Sequence, residues 1–253
     1  MRILITAGGT AERIDPVRAI TNTSTGKLGT LIAARFAARD AVEKIYYICS
    51  NTAQSPQLCD KLELIRVTDV AELEAAVRGV LSRDKIDAAI HGMAVSDYRV
   101  KTVTTAAILA ENIAGAALCD AEDLVGDIEQ AIVTAPGLDN TEKLSSNEEN
   151  LVVMFERTPK VIALFRELAP EALLVGFKLL DGVSRETLLD TAYALLERNA
   201  CAFVLANDAQ EIFADKHVGY LLDRARHVRR FETKGTIADG IYDAIAAASG
   251  GKL

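Results

Sequence analysis

Short apolar runs alternate with longer amphipathic stretches along most of this chain. Residues 2–7, Arg-Ile-Leu-Ile-Thr-Ala, read as a buried strand that ends in Gly8-Gly9. From Lys27 to Arg39, Leu28, Leu31, Ile32 and Phe36 recur at helical spacing. A strand is expected at 44–50 and a short one at 61–67, then a helix from Val70 to Arg83 with Leu73, Val77, Val80 and Leu81 on one face. Residues 86–91 form a further buried run. Later, a strand at 151–155 precedes a helix opened by Thr158-Pro159, with proline in its first turn, and running to Leu168. A strand at 173–178, a helix at 184–198 and a strand at 202–206 follow. An antiparallel pair, 218–222 and 227–231, and a helix at 237–248 close the chain. Strands alternating with helices at this spacing imply an α/β, Rossmann-like, doubly wound and mostly parallel sheet. Helices cover both faces, and a small antiparallel hairpin region is attached.

Residues 101–150 break the rhythm and are expected to form an insertion. Residues 106–133 read as one or two helices interrupted near Gly115 and Gly126, and Pro136-Gly137 marks a turn. The polar stretch 139–150, with Ser145-Ser146, is expected to be a mobile flap, since long loops are commonly functional.

The 253 residues suffice for one α/β domain, and 1–253 are expected to form a single one. A net charge of −8 excludes a broad nucleic-acid surface, which needs clustered Lys and Arg. Cys49, Cys59, Cys119 and Cys201 form no CxxC pair and read as reduced thiols of a cytoplasmic protein. No apolar run is long enough to span a bilayer, so no membrane partner is expected.

Candidate chemistry concentrates in residues 6–29. Gly8-Gly9 ends a strand, and Thr21-Asn22-Thr23-Ser24-Thr25-Gly26 opens a helix at Lys27. A helix N-terminus offers unpaired N–H groups and a positive dipole end. Ser24 and Thr25 add hydroxyls, and Gly26 admits a ligand close to the backbone. This suits phosphate, although Gly8-Gly9 alone is equally a tight turn. The stretch is neither a Walker A loop nor a dinucleotide fingerprint, and the strand at 44–50 ends without a ribose-binding acid. Other polar strand ends, Gly92 to Asp97, Phe177-Lys178 and Asn207-Asp208, fall on the same sheet edge, where ligands of doubly wound sheets bind. Asn207-Asp208 reads as a turn and His91 as a packed core residue. Asp97 is either a base or metal ligand or a turn aspartate. No metal-ligating set is read.

Thr6-Ala-Gly-Gly-Thr-Ala-Glu-Arg-Ile-Asp-Pro-Val-Arg18 and Ile20-Thr-Asn-Thr-Ser-Thr-Gly-Lys-Leu-Gly29 closely resemble the opening of phosphopantothenoylcysteine synthetases. Ala94–Tyr98, Thr158–Val161, Val175–Lys178 and Leu205–Asp208 match further motifs in family order. The resemblance is to the stand-alone bacterial form, without a flavin-binding decarboxylase half. It implies coenzyme A biosynthesis. Phosphopantothenate would be activated by CTP, with Mg²⁺ on the triphosphate, as an acyl-cytidylate, and L-cysteine would displace CMP. A homodimer is expected. By position, the resemblance puts Asn22 on the acyl-cytidylate, Arg18 nearby in the cysteine step, and Lys143 over the intermediate. Gly92, Met93 and Asp97 would line the cytosine and ribose pocket, with Asp97 accepting from the cytosine amino group, and Thr158, Pro159 and Phe177 would complete it. Gly8, Gly9, Ser24, Thr25 and Gly26 would cradle the nucleotide. Departures occur where family lysines are expected. Leu144-Ser145-Ser146 follow Lys143, Arg198 replaces one helix lysine and would bind the nucleotide in its place, and Ala194 stands near the other. That phosphate contact is either lost or supplied by Lys178 or Arg185. The alternatives are a Rossmann-type oxidoreductase using a nucleotide cofactor and an inactive nucleotide-binding module.

Overall fold

A computed structural model describes residues 1–116, 123–213 and 216–250. Cys119 lies outside the described residues. The chain divides into two compact units, the first made of residues 1–10, 22–95 and 160–253, the second of 11–21 and 96–159.

The first unit is built on an eight-stranded sheet. Its order is Val228–Phe231, Gly219–Asp223, Phe203–Asp208, Leu173–Leu180, Ala88–His91, Arg2–Ala7, Lys44–Ser50, Leu62–Val67. The first two strands pair antiparallel and the other six are parallel to one another. The winding reverses between Arg2–Ala7 and Ala88–His91, where Ile3 pairs with Ala88 and Thr6 with His91. Alternate residues of the first strand feed two cores. Ile3 and Ile5 pack with Ile32, Phe36 and Ile241, while Leu4 packs on the other face with Leu73, Val77 and Phe165. Burial of both faces explains why these strands read as continuous apolar runs. Helices Lys27–Ala37 and Lys234–Ala248 cover one face. Val70–Arg83, Val161–Leu168 and Arg185–Arg198 cover the other. The doubly wound α/β expectation holds.

Local expectations fail at identifiable places. Pro159 does not stand in the first turn of its helix, which starts at Val161 after N-cap Lys160. The strand at 151–155 forms as Leu151–Arg157 but does not join the large sheet. It pairs antiparallel with Tyr98–Thr105, a strand the apolar pattern misses, across a bulge between Val100 and Thr102. These strands make the two-stranded sheet of the second unit, which also contains helices Ala106–Ala116 and Leu124–Val133. A second two-stranded sheet of the same unit, the hairpin of three-residue strands Ala11–Arg13 and Ala19–Thr21, was not foreseen. Gly115 stands next to the last residue of Ala106–Ala116, whereas Gly126 does not interrupt its helix. Gly126 sits in the first turn of its helix, where its N–H donates to the N-cap Asp123 carboxylate at 3.0 Å. A Cβ there would stand 2.4 Å from the other Asp123 oxygen. Among the described residues, no helix is long and apolar enough to cross a membrane.

Candidate functional site

In the first unit, the winding reversal puts Gly8-Gly9 and Gly92-Met93 side by side at the carboxyl ends of neighbouring strands. The two segments stay paired beyond the strands. Gly92 N donates to Thr6 O at 3.0 Å, Ala94 N to Gly8 O at 2.8 Å, and Thr10 N to Ala94 O at 3.1 Å. Gly8 takes φ 88°, and a Cβ on it would meet Ser50 Oγ at 2.3 Å. The Ser50 hydroxyl accepts from Gly9 N at 3.3 Å. Gly9 is equally constrained, because its Cβ would stand 1.9 Å from the backbone oxygen of Asn22. Asn22 N in turn donates to Thr10 O at 3.2 Å. The absence of a side chain at Gly9 is what lets the Asn22 loop lie on the first glycine turn.

That loop leads into helix Lys27–Ala37. Its N-cap, Gly26, is left-handed with φ 72° and provides no side-chain cap. Helices Val70–Arg83, Arg185–Arg198 and Lys234–Ala248 are instead capped by Asp69, Ser184 and Thr233. No acidic residue occupies the first turn of Lys27–Ala37, so the positive end of its dipole is not neutralised locally. Asn22 and Thr25 are exposed and Ser24 half-buried. Backbone N–H groups, hydroxyls and one amide thus surround a position suited to an anion.

Gly92, Met93 and Phe177 also come together, since a Cβ on Gly92 would touch the Phe177 ring at 3.4 Å. Beneath them the Thr6 hydroxyl accepts from Met93 N at 3.3 Å and lies 2.8 Å from His91 Nδ1. Burial pushes the His91 pKa down to about 4, so the ring is neutral, packed against Phe165 at 5.2 Å. His91 is a core residue, as read. Asp208 is a turn aspartate. Its carboxylate accepts from Gln210 N, Gly182 N and Val183 N at 2.9–3.0 Å, and these bonds hold its pKa below the usual range.

Arg198 does not join this group. It ends the helix that starts at the carboxyl edge, so it lies at the opposite, amino edge, where Ala202 N donates to Leu174 O. Lys178 and Arg185 do lie on the carboxyl side, Arg185 with its guanidinium 5.1 Å from the centre of the Tyr220 ring. A cavity of about 480 Å³ opens at the amino edge between Arg166 and Arg224. Both guanidiniums donate there to backbone carbonyls, of Pro170 and Ala172 and of Ala200 and Cys201.

In the second unit the candidate residues form two groups. Thr158 Oγ1 donates to Ser96 O at 2.6 Å and Thr158 N to Asp97 O at 3.1 Å, clipping the two segments together with the Asp97 side chain exposed. Pro159 ends this segment. The other group surrounds Asp15, which sequence reasoning missed as a site residue. Its side chain is inaccessible to solvent. Oδ1 accepts from Val17 N at 2.8 Å and Arg18 N at 2.7 Å. Oδ2 accepts from Leu144 N at 3.3 Å and faces Arg18 Nη1 at 3.3 Å. Burial opposes the charge, but the three backbone donors and Arg18 outweigh it and hold the carboxyl below its usual pKa. Asn140 Nδ2 donates to Ile14 O at 2.9 Å. The segment carrying Lys143 is therefore tied to the Ile14–Arg18 turn at two points, with Leu144 buried and Lys143 exposed. The one sequence signal was Asp15-Pro16, a turn-forming pair whose aspartate bonds the backbone two residues on.

Among the described residues no group of three or more His, Cys, Asp or Glu side chains is placed to hold a metal. A Mg²⁺ ion arriving with a triphosphate needs no such cage, because it keeps phosphate oxygens and waters as ligands.

Residues 1–134 match the model of the DNA/pantothenate metabolism flavoprotein C-terminal domain family, more than half of the chain. The chain belongs to that family. Among solved structures, the DNA/pantothenate metabolism flavoprotein of Streptococcus pneumoniae is 30% identical with a TM-score of 0.81, over 98% of this chain and 99% of that one. The C-terminal domain of the coenzyme A biosynthesis bifunctional protein CoaBC shares the fold, with 23% identity and a TM-score of 0.65 over 98% and 94%. Among curated relatives, CoaBC of Thermococcus kodakarensis is 31% identical over 96% of this chain. The chain spans about half the length of that relative, the matched share being 50%. The family match covers both glycine turns, the Asn22 loop, Arg18 and Asp97, and stops before Lys143.

Proposed function

We propose that this chain is a phosphopantothenate–cysteine ligase of coenzyme A biosynthesis, with residues 1–253 acting as one functional domain. Relatives named for coenzyme A biosynthesis support the pathway. The observation that carries the site is the Asn22 loop lying on Gly9 and leading into a helix start whose N-cap is glycine, an anion cradle made largely of backbone. In the proposed reaction a phosphopantothenate carboxylate oxygen attacks the α-phosphorus of CTP and pyrophosphate leaves. The cysteine amine then attacks the acyl carbon, loses a proton and expels CMP, which keeps the carboxylate oxygen. Asn22 donates to the acyl phosphate. Lys143 offsets charge that develops as pyrophosphate departs, and Arg18 assists the cysteine step. Gly92, Met93 and Phe177 provide a flat apolar wall suited to a base, and Asp97 accepts from its amino group. Lys178 or Arg185 takes the place of the missing helix lysines. Mg²⁺ enters as part of the triphosphate substrate.

Phosphopantothenate labelled with ¹⁸O in its carboxylate tests this route. One labelled oxygen should appear in CMP with each amide formed. Label confined to pyrophosphate or water, or NAD(P)H binding in place of ligation, would contradict it.

A further inference from the structure

Asp15 is a buried charge whose place in the fold is not explained by the glycine turns or the sheet. Its two oxygens have separate duties. Oδ1 holds the Ile14–Arg18 turn through Val17 N and Arg18 N, whereas Oδ2 holds Leu144 N and the Arg18 guanidinium. Leu144 is 129 residues away in sequence and adjoins Lys143. A neutral acceptor could satisfy the turn. Satisfying four donors with two oxygens, in a place without solvent, requires the carboxylate.

We propose that Asp15 is a positioning residue which sets Arg18 and Lys143 at once, the turn through one oxygen and the Lys143 segment through the other. It touches no reacting atom. Its effect on turnover passes through Lys143 and Arg18, and in that respect the inference rests on the ligase reading above. The placement of the segment itself does not depend on that reading.

Asp15→Asn separates the two duties. The amide oxygen can keep Val17 N and Arg18 N, but its NH₂ then confronts the Leu144 N–H and the guanidinium, donor against donor. The turn should survive while the Lys143 segment is released. Amide exchange at Leu144 is expected to quicken at least about tenfold in D15N and to stay as in the parent in Lys143→Gln. In phosphopantothenate- and CTP-dependent pyrophosphate release, kcat should fall about 10- to 100-fold with the KM for CTP within about threefold, the scale of a misplaced catalytic group. In a Lys143→Gln background the same D15N change should cost pyrophosphate release less than about threefold, because Lys143 is already gone and Arg18 acts in the later cysteine step. Equal losses in both backgrounds, or unchanged Leu144 exchange, would overturn the proposal. If D15N does not fold, Asn140→Ala removes the second tie of the segment and must show the same non-additivity with K143Q. If the parent protein releases no pyrophosphate with any nucleotide, the ligase reading fails, and Leu144 exchange in D15N alone decides whether Asp15 holds the segment.

Discussion

The two units present their candidate residues by opposite means. In the first, the surface offered to a ligand is backbone. Gly8 and Gly9 are small because other parts of the chain occupy the space a Cβ would need, Gly8 and Gly26 take positive φ, and the N-cap of the helix start is itself glycine. In the second, the candidates are charged side chains on irregular chain, Arg18 and Lys143, held by one buried carboxylate. A backbone cradle is fixed by the packing that makes the fold, so altering it costs stability as well as function. A side chain on a loop can be changed alone.

The largest effect should follow an attack on the cradle. Gly9→Ala puts a methyl 1.9 Å from Asn22 O, a backbone atom that cannot swing aside. Product formation should fall by about three decades or more, as expected when reacting groups are displaced by more than an ångström. Stability should drop by about 1–3 kcal/mol, the usual cost of overpacking. Parallel melting and turnover measurements check both, and a fully active G9A would remove the cradle from the account. Lys143→Gln sharpens the contrast. Pyrophosphate release should fall by about two to three decades, typical of losing one charge-stabilising donor, while the melting temperature stays within a degree or two, since Lys143 is exposed. A large shift in melting with K143Q would erase the distinction between the units.

The last effect belongs to the first unit alone and concerns pH. The unfolded chain binds a proton on His91 near pH 6.5, whereas the folded protein holds that pKa down to about 4. Stability from this group is therefore complete above pH 6.5 and is lost as pH falls toward 4, by about 3 kcal/mol in all. Denaturant titrations of the parent and His91→Gln between pH 7 and 4 should show this slope only in the parent. Equal slopes would assign the acid sensitivity elsewhere.

Much of the first unit could be read from the sequence because its signals are local. Buried parallel strands leave unbroken apolar runs, such as Ile45–Cys49, and glycine turns follow them. The second unit was harder. Tyr98–Thr105 mixes Arg, Lys and Thr with two valines and carries no buried-strand pattern, while its partner Leu151–Arg157 has the apolar run of a buried strand yet exposes Leu151 and Phe155. Arg18 and Lys143 were found by resemblance. Asp15, which bonds Arg18 and the Leu144 N–H, was not, because a hydrogen bond between residues 15 and 144 leaves no trace in local periodicity. Arg198 shows the reverse error, a position matched in sequence whose helix carries it to the far edge of the sheet.

The most direct test of the ligase reading is pyrophosphate release from CTP, ATP, GTP and UTP, each mixed with phosphopantothenate and no cysteine. A burst with CTP is predicted, close to one equivalent per active site, followed by steady release once cysteine is added. Release that does not depend on phosphopantothenate, or no release with any of the four nucleotides, would contradict it.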